Sequence, residues 1–337
     1  MSSQGTPTNF VHPLAIDGSS PFVIYDFGAF APDPNIVAQA DRLEAKLALA
    51  VGDLPPAMAK EAAGELKMYA GHRPRFIDLF YVPIWSFLHW IPAAHPGIDA
   101  GALEKAQEAH ALSLFLHLWD DHLSDAQLPP DLMRLQLRAV AWERYHAAAR
   151  ALAAKVPGGD EIVTRLINGY LTSCHQPPPA TDQKSFCDRF IQQIGIWLVV
   201  PTLLGHLTGG PNVARELCAV IEAFAVAWRM IDDVQDIDKD IVSGQQNAVW
   251  FELNAPGRQM WEHCRVASTG GPRPEPTTWL IAATGIRGDA LQSTLRQVIG
   301  LLSQAETLAG KAGWAGLAAE MAACRNLRGL KETGLPI

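Results

Sequence analysis

The chain has 337 residues, of which 48% are apolar and only 18% are charged, so it can bury a sizeable core. Its formal net charge of −8 argues against nucleic acid as a partner, because an extended phosphate surface requires a basic face. The five cysteines are scattered and follow no metal-ligand spacing, which favours reduced thiols in a cytoplasmic protein over a disulfide framework.

The beginning of the chain lacks the features of a secretion signal. Residues 1–9 are polar and contain neither a basic start nor an apolar segment. The longest uncharged stretch, residues 190–214, is interrupted by glycine and proline, so we expect no stable membrane insertion. Prolines are frequent in residues 1–32, which we expect to form an extended arm laid over a single domain of residues 33–337.

The remainder of the chain has the pattern of an all-helical protein. Asp33 and Pro34 have the form of a helix start, with Asp as the N-cap and Pro at the first helical position. From there apolar residues recur at spacings of three and four, which is typical of α-helices. The predicted helices lie near residues 35–51, 56–69, 101–121, 131–154, 159–174, 184–207, 213–240, 246–265, 277–311 and 315–330. Only residues 22–27 weakly resemble a strand, so the sequence predicts one all-α domain of about ten helices.

Two clusters of aspartate each follow a long apolar, helix-like run. The first cluster is Asp120, Asp121 and Asp125, and the second is Asp232, Asp233, Asp236 and Asp240. In the second cluster, three aspartates recur every four residues and share one helix face, where their like charges repel. Magnesium relieves such repulsion, since it is typically held by one or two carboxylates plus substrate phosphates. One acidic cluster is more often a solvated helix end, but two of them favour a convergent magnesium–diphosphate site.

Together with the all-α pattern, these motifs resemble the trans-prenyl diphosphate synthases and class I terpene synthases, over roughly residues 60–250. The stretch Asp120-Asp121-His122-Leu123-Ser124-Asp125 is similar to their first aspartate-rich motif, with the third Asp one place later than in the commonest form. The second cluster is similar to the second motif, and Asp232, Asp236 and Asp240 also fit the metal triad of terpene cyclases. The resemblance implies the isoprenoid synthase fold, a helical bundle around a central apolar cavity. It also implies that the seven aspartates bind Mg²⁺, as three ions held together with a prenyl diphosphate.

Departures from the superfamily affect the elements that hold isopentenyl diphosphate in chain-elongating synthases. The element Gly71-His72-Arg73-Pro74-Arg75 is similar to their Gly-Lys-Arg-x-Arg, but His72 replaces the lysine. No Arg-Arg-Gly follows the first motif, and Gln193-Ile194 stands before Gly195 where Lys-Thr is usual. A second diphosphate needs its own cationic clamp, so these losses favour a terpene cyclase that ionises one allylic diphosphate and cyclises the cation.

The resemblance also implies roles for residues around the two clusters. Arg189, Arg229 and Lys239 are the candidate catalytic cations, and Arg73 and Arg75 are candidates for substrate binding. A carbocation requires a dry cavity, and aromatic faces stabilise a nearby cation by about 0.5 to 2 kcal/mol each. The further candidates for substrate binding are Phe115, Trp119, Trp197, Gly195, Phe224, Trp228 and Trp250. Phe115, five residues before the first Asp, would shorten the cavity, which favours farnesyl over geranylgeranyl diphosphate.

Three alternatives remain open at this point. The protein could be a chain-elongating prenyl transferase or a squalene- or phytoene-synthase-like coupler, since Asp236, Asp240 and Gly244 also resemble the second motif of the couplers. It could be a non-catalytic partner subunit of another prenyl synthase, although such a subunit has no need of the aspartates. It could also be a helical lipid-binding or structural protein. A homodimer is left open, because related folds commonly pair through their helices.

Overall fold

The computed structural model describes residues 25–30, 33–125, 127–175, 179–268 and 288–329, so residues 1–24 of the predicted arm lie outside the described residues. In this part of the chain the fold is all-α, as the sequence predicts. The helices are α1 (Pro34–Gly52), α2 (Pro56–Ala70), α3 (Pro83–Ala94), α4 (Ala100–Ser124), α5 (Leu132–Ala153), α6 (Gly159–His175), α7 (Gln183–Gln193), α8 (Gly195–Gln235), α9 (Ile237–Ser243), α10 (Ala248–Glu252), α11 (Ala255–Ser268), α12 (Asp289–Lys311) and α13 (Ala315–Arg325). A short 3₁₀ helix, Phe76–Leu79, lies between α2 and α3.

Local sequence chemistry determines where several of these helices begin. Asp33 accepts a hydrogen bond from the backbone N–H of Asn35 at 2.7 Å, and Pro34 occupies the first turn of α1, so the predicted helix start is confirmed. Asp99, Asp131 and Asp182 cap α4, α5 and α7 in the same way. A carboxylate at an N-cap satisfies backbone N–H groups that have no partner inside the helix, which explains why Asp stands at these four positions.

Other boundaries differ from the prediction. Helix α3 was not predicted, because nearly all of its residues are apolar, most of them are buried, and it therefore lacks the polar face that marks a surface helix. The predicted helix near 184–207 is divided at Ile194, where α7 and α8 meet at 74°. The predicted helix near 246–265 is two helices. Of the strand candidate, residues 22–24 lie outside the described residues, and Asp26 forms an isolated bridge with Arg328. The part of the predicted helix near 277–311 before residue 288 lies outside the described residues.

Helix α8 is a hairpin of two antiparallel arms rather than one straight rod. The chain reverses at Gly209 and Gly210, and Gly210 adopts a φ of 77°, which glycine reaches without strain. The arms approach so closely that a Cβ on Gly205 would lie 2.4 Å from the Cα of Ala214. This reversal brings the two ends of α8, near Gly195 and Gln235, to the same end of the molecule.

A single hydrophobic cluster holds the helices together, and both arms of α8 lie within it against α4, α6 and α12. Residues 25–30 also pack on this core, where Tyr25 and Phe27 are buried. Among the described residues, no single helix is long and apolar enough to span a membrane; only α7 and α8 taken together, as a bent pair, meet the length and composition criterion.

A buried carboxyl group between α13 and α3 makes stability depend on pH. Glu320 accepts hydrogen bonds from Trp90 Nε1 at 2.9 Å and from Ser86 Oγ, and burial raises its pKa from the ordinary 4.5 to about 7. The folded protein therefore prefers the protonated acid, and its stability decreases as pH rises from about 4.5 to 7. We expect the unfolding free energy of Glu320→Gln, taken relative to that of wild type, to increase by up to roughly 2–3 kcal/mol as pH rises from about 4.5 to 7. Above pH 7 this difference should stay constant.

Urea unfolding of both proteins at pH 4.5, 5.5, 6.5 and 7.5 measures this difference. Glu61→Gln, at an exposed position on α2, is the matched control and should differ from wild type by a constant amount. A pH-independent difference for Glu320→Gln would show that the carboxyl group is ionised inside the fold.

Candidate active site

The two acidic clusters lie at the same end of the helical bundle, above a layer of packed aromatic rings. His117 of α4 contacts Trp197 on the first arm of α8, with ring centroids 4.6 Å apart. Trp197 stacks on Trp228 of the second arm at 5.7 Å and 16°. Asp121 follows His117 by one helical turn, and Asp232 follows Trp228 by one turn. The connected rings therefore place the two carboxylates on opposite sides of one space.

Electrostatic interactions are a second line of evidence that the two clusters face each other. Burial raises the pKa of Asp232, and the negative charges of Asp236 and Asp121 raise it further, against the opposing effect of Arg229. Burial and the charge of Asp121 raise the pKa of Asp125, and the charge of Arg229 on α8 opposes this rise from across the site. A charge on α4 acts on a carboxyl group of α8 only if the two are neighbours, although 110 residues of chain separate them.

The Asp232 side chain is 45% exposed, yet desolvation is the largest cause of its raised pKa. A carboxylate on the wall of a concave surface has both properties, because water reaches it from one side while protein surrounds the others. Asp236 ends α8 as its C-cap, and its backbone N–H bonds to the carbonyl of Asp232 at 2.9 Å, so the two residues lie one turn apart at the junction with α9. Both side chains are accessible at the mouth of the site.

The other two aspartates of the second cluster are held by neighbours. Asp233 is buried; its Oδ1 forms an ion pair with Arg229 Nε at 2.8 Å, and its Oδ2 accepts a hydrogen bond from the backbone N–H of Ala248 at 2.7 Å. Its burial raises its pKa to about 7. Asp240 is 8% exposed and accepts a hydrogen bond from Asn247 Nδ2 at 2.8 Å. Asp233 thus ties α8 to the start of α10, and each of its oxygens already has a partner within the chain.

In the first cluster, too, one aspartate is held by neighbouring side chains and the other two are exposed. Both oxygens of Asp120 face Arg138 of α5, with Nη2 at 3.1 Å from Oδ2, and Tyr170 of α6 donates to Oδ2 at 3.0 Å. Asp121 and Asp125 are exposed, and neither carboxylate accepts a hydrogen bond or forms an ion pair with another described residue. Arg138 and Tyr170 were not recognised in the sequence, since nothing in the local pattern links them to residue 120.

Two arginines lie beside the second cluster. Arg229 is bound to Asp233, and the charges of Asp233, Asp232, Asp240 and Asp121 raise its pKa, the effect of Asp233 being the largest. Burial and the neighbouring charge of Arg229 lower the pKa of Arg189, whose guanidinium lies 5.5 Å from the Phe186 ring.

Arg189 makes no hydrogen bond or ion pair with any other residue in the described part of the chain. A half-buried cation that repels its neighbour is suited to an anionic ligand.

The remaining cations that the sequence singled out have other partners or none. Lys239 is exposed and pairs with Asp236 at 2.6 Å. Arg75 is bound to Asp78 at 2.9 Å, to Asp41 at 2.8 Å and to the carbonyl of Val37 at 3.1 Å, so it fastens the 3₁₀ helix to α1. Binding of substrate by Arg75 stays a prediction, which would require these contacts to be exchanged. Arg73 makes no side-chain hydrogen bond or ion pair among the described residues.

The aromatic candidates lie in two places. Trp197 and Trp228 belong to the layer beneath the clusters, which Phe80 joins with its centroid 6.1 Å from each of them. Trp250 lies elsewhere, beneath the guanidinium of Arg258 at 4.4 Å. The sequence missed Tyr81, whose ring meets Trp228 edge-on at 5.4 Å and whose hydroxyl donates to Asp26 at 2.5 Å.

The other four candidates from the sequence are packed in the interior. Phe115 and Trp119 are buried side by side at 4.9 Å, and Phe224 is buried against Phe27 at 5.3 Å. Gly195 is a packing residue, because a Cβ there would lie 2.6 Å from the carbonyl oxygen of Leu166 on α6. This close approach explains the glycine without a contact to substrate.

Comparison with solved structures identifies the class of fold. The chain shares the isoprenoid synthase fold with a polyprenyl synthetase from Streptomyces coelicolor A3(2), at a TM-score of 0.63 and 14% identity over 85% of this chain and 98% of that one. It is also similar to a geranylgeranyl pyrophosphate synthetase from the archaeon Geoglobus acetivorans (TM-score 0.58, 13% identity, 85% and 98% covered) and to a heptaprenyl diphosphate synthase from Staphylococcus aureus (0.57, 13%, 86% and 98%). The resemblance predicted from the aspartate motifs is therefore confirmed at the level of the fold. No protein-family model and no curated protein sequence matches the chain.

Proposed function

We propose that the protein binds an allylic prenyl diphosphate between its two acidic clusters, with magnesium, and ionises it. The facing of Asp121 on α4 and Asp232 on α8 carries this proposal, because two opposed carboxylates are costly unless a cation lies between them. The candidate ligands are the accessible carboxylates Asp121, Asp125, Asp232 and Asp236, with Asp240 adjoining them. Arg189 and Arg229 border the same space as cationic partners for the diphosphate.

These donors fit magnesium in kind and in number. All of them are carboxylate oxygens, which a hard cation prefers. Among the described residues, no group of three or more His, Cys, Asp or Glu side chains is arranged to hold a metal ion by itself. Such partial sites are typical of magnesium bound by one or two carboxylates and completed by substrate phosphates. Magnesium, when bound, would neutralise charge on the diphosphate and on the carboxylates that hold it.

The residues of this chain have definite tasks in the ionisation. The carbon–oxygen bond of the allylic diphosphate breaks heterolytically, and its electron pair leaves with the diphosphate oxygen. Arg189 and Arg229 stabilise the growing negative charge, since preplaced donors supply a large part of such catalysis. The partly exposed ring of Trp228, which stacks on the buried Trp197, excludes water and stabilises the remaining allylic cation.

For the fate of the cation we propose cyclisation, with farnesyl diphosphate as the first candidate substrate and geranylgeranyl diphosphate as the second. The contacts of Arg75 support cyclisation, because an arginine occupied by Asp41 and Asp78 is not free to hold a second diphosphate. Chain elongation is the second candidate function. The names of the structural neighbours support it better than they support cyclisation, although at 13–14% identity these likenesses concern the fold.

Incubation with geranyl, farnesyl and geranylgeranyl diphosphates separately tests the proposal. Each reaction is run with and without Mg²⁺ and with and without isopentenyl diphosphate, followed by assay of released diphosphate and gas chromatography of extracts. We expect magnesium-dependent release and a cyclic hydrocarbon that does not require isopentenyl diphosphate. A longer prenyl diphosphate would establish elongation, and a hydrocarbon of doubled carbon number would establish coupling. No release from any substrate would favour a non-catalytic partner subunit.

A further inference from the structure

Asp120 differs from its two neighbours in the first cluster because its carboxylate is already fully engaged. Its side chain is only 11% exposed. Arg138 donates to both of its oxygens, and Tyr170 donates to Oδ2 at 3.0 Å. Asp121 and Asp125, by contrast, are exposed and accept no hydrogen bond from another described residue. An ion that approached Asp120 would have to displace a guanidinium and a hydroxyl group.

The partners of Asp120 are themselves held in place, so the engagement is built into the fold. Arg138 lies on α5 with its guanidinium 5.9 Å from the Trp142 ring, and Trp142 in turn contacts the ring of Tyr170 on α6 at 6.0 Å. Tyr170 is 1% exposed, and burial together with the charge of Asp120 raises its pKa, which keeps the hydroxyl a donor. One carboxylate therefore joins α5 and α6 to the last turn of α4.

Helical geometry separates this carboxylate from the ones that face the second cluster. Asp121 and Asp125 are four residues apart and share one helix face, whereas successive residues such as Asp120 and Asp121 point about 100° apart. Asp121 is the residue whose charge acts on Asp232 across the site. The pair that faces the second cluster thus begins at Asp121, which accounts for the last aspartate of the motif standing one place late.

We propose that Asp120 is a positioning residue, held by Arg138 and Tyr170 so that the last turn of α4 presents Asp121 and Asp125 as the magnesium ligands. This proposal rests on the proposed function, because it assigns tasks within the same site. Two accounts of Arg138 now make opposite predictions. If Arg138 positions the turn, removing it weakens binding at Asp121 and Asp125. If Arg138 only masks a ligand, removing it frees Asp120 and strengthens binding.

Isothermal titration calorimetry with inorganic pyrophosphate and Mg²⁺ distinguishes these accounts without any turnover. We expect Arg138→Met to weaken binding about tenfold and Arg138→Lys to restore part of it. Asp120→Asn should weaken binding by less than Arg138→Met, since its single amide oxygen keeps some of the hydrogen bonds that the two carboxylate oxygens accept from Arg138 and Tyr170. Asp121→Asn and Asp125→Asn should each weaken it more than tenfold. Arg150→Met, which removes an exposed arginine of α5 paired with Asp160, is the matched control and should bind like wild type.

Tighter binding by Arg138→Met, or a loss in Asp120→Asn as large as in Asp121→Asn, would make Asp120 a ligand and overturn the proposal. Lower thermal midpoints in Arg138→Met and Asp120→Asn with unchanged affinity would reduce the contact to a purely structural one and also overturn it. If wild type binds no magnesium pyrophosphate, the proposed function itself fails and this proposal falls with it. If wild type does bind magnesium pyrophosphate and the variants give either of the contrary results above, the positioning role of Asp120 is rejected while the proposed function stands.

Discussion

Asp232→Asn is expected to lower the rate of diphosphate release by about 10²–10³-fold while the protein remains folded. Asp232 faces Asp121 across the site, is accessible to water, and carries one of the charges that a bound cation would offset. Asparagine preserves its size but removes the charge, so an ion bound there loses a strong ligand. The measurement is diphosphate release at saturating magnesium with each allylic substrate, alongside the circular dichroism spectrum.

A second aspartate of similar exposure provides the control for this substitution. Asp188 on α7 is 52% exposed and pairs with Lys184 on the outside of the helix, so Asp188→Asn makes the same chemical change outside the site. It should retain the wild-type rate. If Asp232→Asn also retained it, the opposed carboxylates would not hold the diphosphate, and the proposed function would lose its main support.

The sequence was informative wherever the relevant chemistry is local. The cap at Asp33, the break between the predicted helices near 184–207 and 213–240, and the repeat of aspartates on α8 all depend on residues within a few positions of one another. These features predicted helical boundaries and the location of two acidic clusters. The packing of His117 on Trp197, and of Trp197 on Trp228, then explains why the clusters meet.

The sequence does not reveal the partners that a side chain finds far along the chain. Arg75 was expected to bind substrate, but Asp41, 34 residues earlier, holds it. Asp120 was expected to bind metal, but Arg138 of the next helix occupies it. Asp233 resembles its neighbour Asp232 in sequence, yet the helix turns it inward toward the start of α10. Charge type and spacing show that a residue can bind an ion, and only tertiary contacts show whether its oxygens are free.

The errors in predicting helix α3 and the bend at Ile194 have a related cause. Helix α3 is buried and apolar nearly all round, so the alternation that reveals a surface helix is absent. The bend at Ile194 carries no glycine or proline of its own, and the following Gly195 is required by the nearby carbonyl of Leu166. In both places the structure is determined by what packs against the segment.

Arg189→Gln is expected to lower kcat/KM for diphosphate release by about 10²-fold or more, while the thermal midpoint stays the same or rises. In wild type the guanidinium of Arg189 is half-buried and forms no ion pair with a described residue; Arg229 repels it, and the charge of Asp233 opposes that effect in part. Such a cation contributes little to the fold, so its removal should mainly affect an anion that binds beside it. Enzyme kinetics and a thermal melt of the same preparation measure both quantities.

Arg229→Gln is the informative comparison, because Arg229 is bound to the buried Asp233. Its removal leaves a buried carboxyl group without its partner, which typically costs about 3–5 kcal/mol, so activity and stability should fall together. Arg215→Gln, at an exposed arginine of α8 whose side chain donates to Asn212, should change neither. Wild-type kinetics in Arg189→Gln would remove this residue from the diphosphate site. A large loss of stability in that variant would show that it has a structural partner instead.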